Sequence, residues 1–156
     1  MPRKKLPYKE GDWFAIPLRK GGYALGLVAR LDGTGGIIGY FFGPRHEQLP
    51  TKEEIMGLSA DSAVLIRHFG DLGLLRGEWP IISHSSVWNR AHWPLPAFAR
   101  ISMDDKQALR IEYAETDINQ PIREVPISIE EAHRLPEDGV SGYGAIEIRL
   151  TKLLST

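Results

Sequence analysis

"GDWFAIPLRKGGYALGLVARLDGTGGIIGYFFG", residues 11–43, decides the fold. From Asp12 to Leu18 the residues alternate, with Phe14, Ile16 and Leu18 on one side and Trp13, Ala15 and Pro17 on the other. A period of two marks a β-strand. "RKGG" at 19–22 is turn chemistry, because glycine reaches positive φ without steric cost. Tyr23 to Leu31 alternates again, which predicts Tyr23, Leu25, Leu27, Ala29 and Leu31 on one face. "DGTGG" at 32–36 is a second hairpin signal, and Ile37 to Phe42 reads as a third strand. The stretch predicts a three-stranded antiparallel meander.

Three details of the meander carry further. Pro17 cannot donate to a ladder, so its strand lies at an edge or carries a bulge there. Both sides of the strands are apolar, which a sheet open to water on one side would not need. Such a sheet either closes into a barrel or lies under another element. Gly26 and Gly39 fall inside strands, which predicts sharp bending or a close approach of backbone, as barrel corners require.

Outward from the meander, "LPTKEEIMGL" (49–58) predicts a short helix or turn capped by Thr51. "AVLIRHFG" (63–70) is a buried strand, and 71–83 is a turn followed by a short strand through Ile81 and Ile82. "AFARIS" (97–102) and "ALRIEYAE" (108–115) form a hairpin over "MDDK". Ser128 and Glu131 have capping-box spacing for a short helix that Pro136 and Gly139 follow. The last element, "GAIEIRLTKLL", fits a strand or a helix, with the helix favoured. The fold class expected is α+β: a strongly bent, mainly antiparallel, barrel-like sheet with two or three short helices.

The length, 156 residues, fits one domain, with residues 1–9 expected to be flexible. The chain has no cysteine, which excludes disulfides, thiolate metal sites and a cysteine nucleophile. No secretory signal and no apolar run approaching the roughly 18 residues of a membrane span is present. The expectation is a cytoplasmic protein with no membrane partner. Nineteen basic and 20 acidic residues give a net charge of −1. A dedicated nucleic-acid binder shows a basic excess, and here the basic cluster is only Arg3, Lys4 and Lys5.

Candidate chemistry is thin. The five histidines, His46, His68, His84, His92 and His133, lack metal-ligand spacing, so neither a metal nor a cofactor is expected. "DGTGGIIG" departs from G-x-G-x-x-G and leads into a strand rather than a helix, and "GVSGYG" is not a nucleophile elbow. An enzyme would have to use His68 or His92 with Asp71. On a strand, however, His68 and Asp71 point to opposite faces. No catalytic residue is therefore expected.

Residues 83–96, "SHSSVWNRAHWPLP", have no period and are long for a connection. They hold two of the four tryptophans and an arginine, the types that dominate interface energetics. The expected partner surface is Trp88, Asn89, Arg90, His92 and Trp93, joined by Arg45 and His46. The alternative is a small nucleic-acid-binding barrel in which Tyr40, Phe42, Trp88 and Trp93 stack bases. The near-zero net charge counts against it, since the phosphate contribution would be missing.

The order of segments is more specific than any one of them. "GDWFAIPL", a Gly turn, "YALGLVAR" and "GGIIGYFFG" resemble the opening of immunity protein family 26 of bacterial polymorphic toxin systems. "VLIRHFGDLGLLRGEWPIIS" and "EEAHRLPEDGVSGYGAIEIRL" extend the resemblance over about residues 8–152. It implies an α+β domain whose partner is a cognate protein toxin that it neutralises, and it carries over no catalytic residues.

Overall fold

The structure is a computed structural model that describes residues 5–155; Arg3 and Lys4 of the basic cluster lie outside the described residues. The opening stretch forms β1 (Asp12–Pro17), β2 (Tyr23–Leu31) and β3 (Gly36–His46), paired as an antiparallel meander. Gly21 and Gly22 sit at φ 95° and 81°, and the Leu18 N–H donates to the Gly22 carbonyl at 2.9 Å to close the first turn. Then come β4 (Leu65–Gly70), α1 (Leu72–Leu75), β5 (Ile81–His84), β6 (Phe98–Ile101), β7 (Ala108–Ala114) and β8 (Asp117–Ile127). The chain finishes with α2 (Ile129–Ala132), β9 (Val140–Ser141) and α3 (Tyr143–Leu154).

Two sheets result. One has six strands in the order β5-β1-β2-β3-β4-β9, antiparallel except for the β4–β9 pair; the other is β6-β7-β8. The fold is α+β and mainly antiparallel, as the sequence predicts. The larger sheet does not close: β5 and β9 are its two edges. Of the two ways to cover a sheet apolar on both sides, the protein uses layers rather than closure. Pro17 ends β1 beyond the reach of β5, which pairs only with Asp12 to Phe14, so no ladder hydrogen bond is lost.

Trp13 and Phe14 show the division of the faces. On the first face Phe14, Ile16, Val28, Phe41 and Phe69 pack with Leu74 and Trp79, and with Ile146 and Leu150 of α3. Trp79 stacks on Phe14 with ring centroids 5.6 Å apart and 8° between planes. Its indole N–H donates to Glu147 Oε2 at 2.8 Å, which ties the stack to α3. The second face carries Trp13, Leu25, Leu27, Ala29, Tyr40 and Phe42. The turns after β3 cover it through Ile55 and Leu58, and the 83–96 segment through Trp88 and Trp93. The small sheet joins beside them, with Phe98 and Ile118 packed on Ile38.

Leu31 departs from the expected face. The β2–β3 register shifts between Val28 and Arg30, and a bulge of this kind reverses the side chains that follow it. Leu31 therefore packs with the first face, away from Leu25 and Leu27. Tyr8 is a second feature without a sequence signal. It is buried, and its hydroxyl donates to Asp71 Oδ2 at 2.5 Å. The third is β8, whose 11 residues carry Pro121 and Pro126 and mostly exposed side chains. Proline and charge are features of an edge strand, and they hide the alternation.

Gly26 and Gly39 are explained by close approach. Gly26 lies opposite Phe14, and a Cβ on it would stand 2.5 Å from the Phe14 ring; at Gly39 it would stand 2.7 Å from Phe69. Gly26→Ala is expected to destabilise the protein by about 2 kcal/mol or more, the cost of overpacking against a ring already held by Trp79. Gly70→Ala, with nothing within 4 Å of the added atom, is expected to change stability by less than about 0.5 kcal/mol. Urea unfolding of both variants measures the contrast, and equal stabilities would contradict the packing described.

Candidate partner-binding surface

The 83–96 segment is held by hydrogen-bonding side chains from several other parts of the chain. Asn89 Oδ1 accepts from the Ala91 N–H at 2.9 Å and caps a single helical turn, Arg90–His92. Glu10, just before β1, accepts from the Trp88 indole N–H at 2.8 Å and from Arg90 Nε and Nη2 at 2.5 and 2.8 Å. Burial pushes the Glu10 carboxyl up, but these bonds from Arg90 and Trp88 outweigh it and hold the group below the usual carboxylate range. Gly11 leaves room for the Trp88 ring, which would lie 3.2 Å from a Cβ there. Trp93 meets Tyr40, Trp13 and Phe42 edge-on, with centroids at 5.3, 5.7 and 5.9 Å.

Arg30 is the central fastening. The bulge in β2 turns its side chain onto the second face, where it is 1% exposed. Its guanidinium donates to the Ala29 carbonyl at 2.7 Å, the Trp93 carbonyl at 3.0 Å and Glu115 Oε2 at 2.9 Å. Glu115, in the β7–β8 turn, also accepts from the Leu95 N–H at 3.2 Å, and its carbonyl accepts from Arg90. The Tyr40 hydroxyl donates to the Pro94 carbonyl, and burial pushes its pKa up to about 12. One buried cation thus joins the large sheet, the loop and the small sheet. Sequence reasoning missed Arg30, Glu10 and Glu115; the only signal for Arg30 was a lone charge within an apolar strand.

The predicted surface residues divide. Trp88 and Trp93 are half-buried and turned inward, while Asn89, Arg90 and His92 are exposed. Arg45 and His46 lie elsewhere. His46 pairs with Tyr23 at one end of the β2–β3 ladder, whereas Gly11, under Trp88, bonds to Val28 towards the other end. Arg45 Nε donates to the Gly21 carbonyl at 2.8 Å, and His46 Nδ1 stands 2.5 Å from Glu54 Oε2. The structure does not bring Arg45 and His46 to the loop.

The alternative readings fare differently from their expectations. A base-stacking platform needs Tyr40 and Phe42 at the surface; they are 2% and 0% exposed, beneath Trp93. His68 does not face Asp71, which is occupied by Tyr8. Its Nε2 lies 2.9 Å from Asp32 Oδ2. Asp32 Oδ1 accepts from the N–H groups of Thr34 and Gly36 at 2.7 and 2.8 Å, which makes it the clamp of the β2–β3 turn. Burial opposes its charge, but the Thr34, His68 and Gly36 bonds prevail and bring its pKa to about 2. The void beside His68 is about 10 Å³, room for one water. His84 Nδ1 lies 2.6 Å from Asp12 Oδ1. Among the described residues no cluster of three or more His, Asp or Glu is placed to hold a metal ion, and no helix is long and apolar enough to cross a membrane.

The profile of the protein family described as Immunity protein 26 matches residues 9–109. The match takes in β1 to β6, the loop and the first two residues of β7. No curated protein and no solved structure matches the chain.

Removing the fastening has a measurable cost. Arg30→Ala removes the guanidinium donor from the buried Ala29 carbonyl and the half-buried Trp93 carbonyl and opens a cavity, so a loss of about 2–4 kcal/mol is expected in urea unfolding, partly recovered by Arg30→Lys. A loss below about 1 kcal/mol would contradict the role of Arg30. The Asp32 clamp sets a pH dependence. Its pKa is lowered on folding from 3.8 to about 2, so its contribution is complete above the higher value and is lost as the pH falls through the lower. Asp32→Asn keeps an acceptor oxygen and is expected to flatten that acid limb; an equally steep limb in the variant would contradict the assignment.

Proposed function

Because the chain belongs to the Immunity protein 26 family, we propose that it binds a cognate protein toxin and neutralises it as a stoichiometric inhibitor. The observation that carries this reading is the match over residues 9–109, which spans most of the large sheet together with the loop fastened to it. In this reading the protein belongs to a bacterial polymorphic toxin system and works in the cytoplasm, where the toxin must be stopped. Neutralisation works by covering or distorting the toxin's active site across an interface of about 1,600 Å² in total. No chemistry on the immunity side is called for.

The loop supports this reading by its rigidity. Glu10 and Arg30 fix its base, and the inward rings of Trp88 and Trp93 fill the sheet face beneath it. What it offers a partner is the exposed row Asn89, Arg90 and His92, already ordered before binding. An ordered surface loses less conformational entropy on association than a mobile one. The tryptophans serve as the support of this surface, and its outward polar residues make the contacts.

Co-expression with the toxin encoded beside this gene tests the reading. Growth is expected to be restored, and a 1:1 complex is expected to survive size-exclusion chromatography. His92→Glu is expected to weaken that complex at least about tenfold while leaving the melting temperature unchanged. Growth that stays arrested, with no complex formed, would refute the immunity role. A complex indifferent to His92→Glu would remove the loop from the interface.

A further inference from the structure

A cleft of about 680 Å³ opens between the first residues of β4, the end of β6, α2 and α3. Its floor is apolar, built by Leu65, Ile66, Ile101, Leu135 and Ile146. Its rim is cationic: Arg67, Arg134 and Arg149 line it, against a single carboxylate, Glu137. Glu137 is already taken, since Arg67 Nη1 lies 3.0 Å from its Oε2 and Arg67 Nε donates to Ser141 Oγ at 2.7 Å. Arg134 and Arg149 are exposed and have no ion-pair partner among the described residues. Two guanidinium groups therefore flank an apolar trough with nothing to neutralise them, in a chain whose net charge is −1.

A strand edge runs along the same cleft. β9 pairs with β4 only through His68–Val140 and Phe69–Ser141. Leu65, Ile66 and Arg67 pair with β3 on one side and have no strand on the other. An unpaired edge offers main-chain donors and acceptors at strand spacing, which suits an incoming extended polypeptide. An apolar floor and a peptide edge do not suit a phosphate backbone, whose recognition rests on cationic and polar contacts. The volume falls in the range of sites that enclose a ligand rather than graze it.

We propose that this cleft is the docking site for an extended acidic segment of the cognate toxin. The segment adds to the β4 edge at Leu65–Arg67, places alternate apolar side chains on the floor, and sets Asp or Glu side chains against Arg134 and Arg149. This rests on the immunity reading above and specifies the chemistry of the partner. Arg134 and Arg149 lie beyond residue 109, where the family match ends, so the charge pattern is carried by the part of the chain outside it. The attraction is local, because exposed charges are screened within about 8 Å at physiological ionic strength.

Calorimetric titration of the toxin into wild type, Arg134→Glu/Arg149→Glu and Arg134→Lys/Arg149→Lys tests the proposal. Wild type is expected to bind, with affinity falling as salt rises. The double glutamate variant is expected to bind at least about 30-fold more weakly with an unchanged melting temperature, and the double lysine variant within about threefold of wild type. If wild type binds and the glutamate variant binds as tightly, the docking proposal falls and the immunity reading stands. If wild type does not bind the toxin, both fall. If the reversal instead abolishes a concentration-dependent dimer, or binding to an oligonucleotide, while toxin affinity is kept, the cleft belongs to a second copy or to nucleic acid and the proposal is overturned.

Discussion

Trp13 and Phe14 are neighbours in the chain, point to opposite faces of one strand, and are both buried. Burying a large apolar side chain contributes about 1.5–3 kcal/mol, so neither face of this sheet can be left to water without losing much of the protein's stability. The first face is closed by α3, by Leu74 of α1 and by the Phe14–Trp79 stack that Glu147 links to α3. The second face is wider in its needs. Among the described residues no α-helix covers it, and the chain closes it with the turns after β3, the 83–96 loop and the edge of a second sheet. Loops and small sheets bring polar backbone with them, and Arg30 satisfies part of it from within the apolar layer.

The parts of this arrangement that repeat locally were readable in the sequence. Alternation from Asp12 to Phe42, with glycine turns at Gly21–Gly22 and after Asp32, specifies three strands and both buried faces. The glycines inside strands pointed to bending or to close approach of backbone; the groups that approach them are instead the rings of Phe14 and Phe69. What was not readable depends on contacts distant in sequence. Arg30 and Glu115 are 85 residues apart, and His68 meets Asp32 rather than the nearby Asp71. The β2 bulge that sends Leu31 to one face and Arg30 to the other leaves no mark on the pattern. β8 is masked by two prolines and its polar side chains.

The candidate surfaces show the same division. Lack of periodicity and an excess of tryptophan drew attention to the loop, but gave no way to know that both rings turn inward or that Arg45 and His46 sit elsewhere. The cleft had no sequence signal at all, because its walls come from five elements between Ala63 and Arg149. The two surfaces also differ in physical character. The loop is an exposed row of polar side chains on a fastened base, whereas the cleft is concave, apolar and cationic, with an open strand edge. Both are present in the free protein, so the proposed recognition calls for little rearrangement of the sheet.

That last property is the centre of the functional reading: the toxin is held by surfaces that exist before it arrives. Hydrogen–deuterium exchange of the free protein and of its toxin complex tests it most directly. New protection is expected at Leu65–Arg67, across 133–149 and at Asn89–His92, while the slow amides of β1 to β3 exchange at the same rate in both states. Protection that instead spreads through β1 to β3, or appears only on β8 and the face away from the cleft, would contradict it.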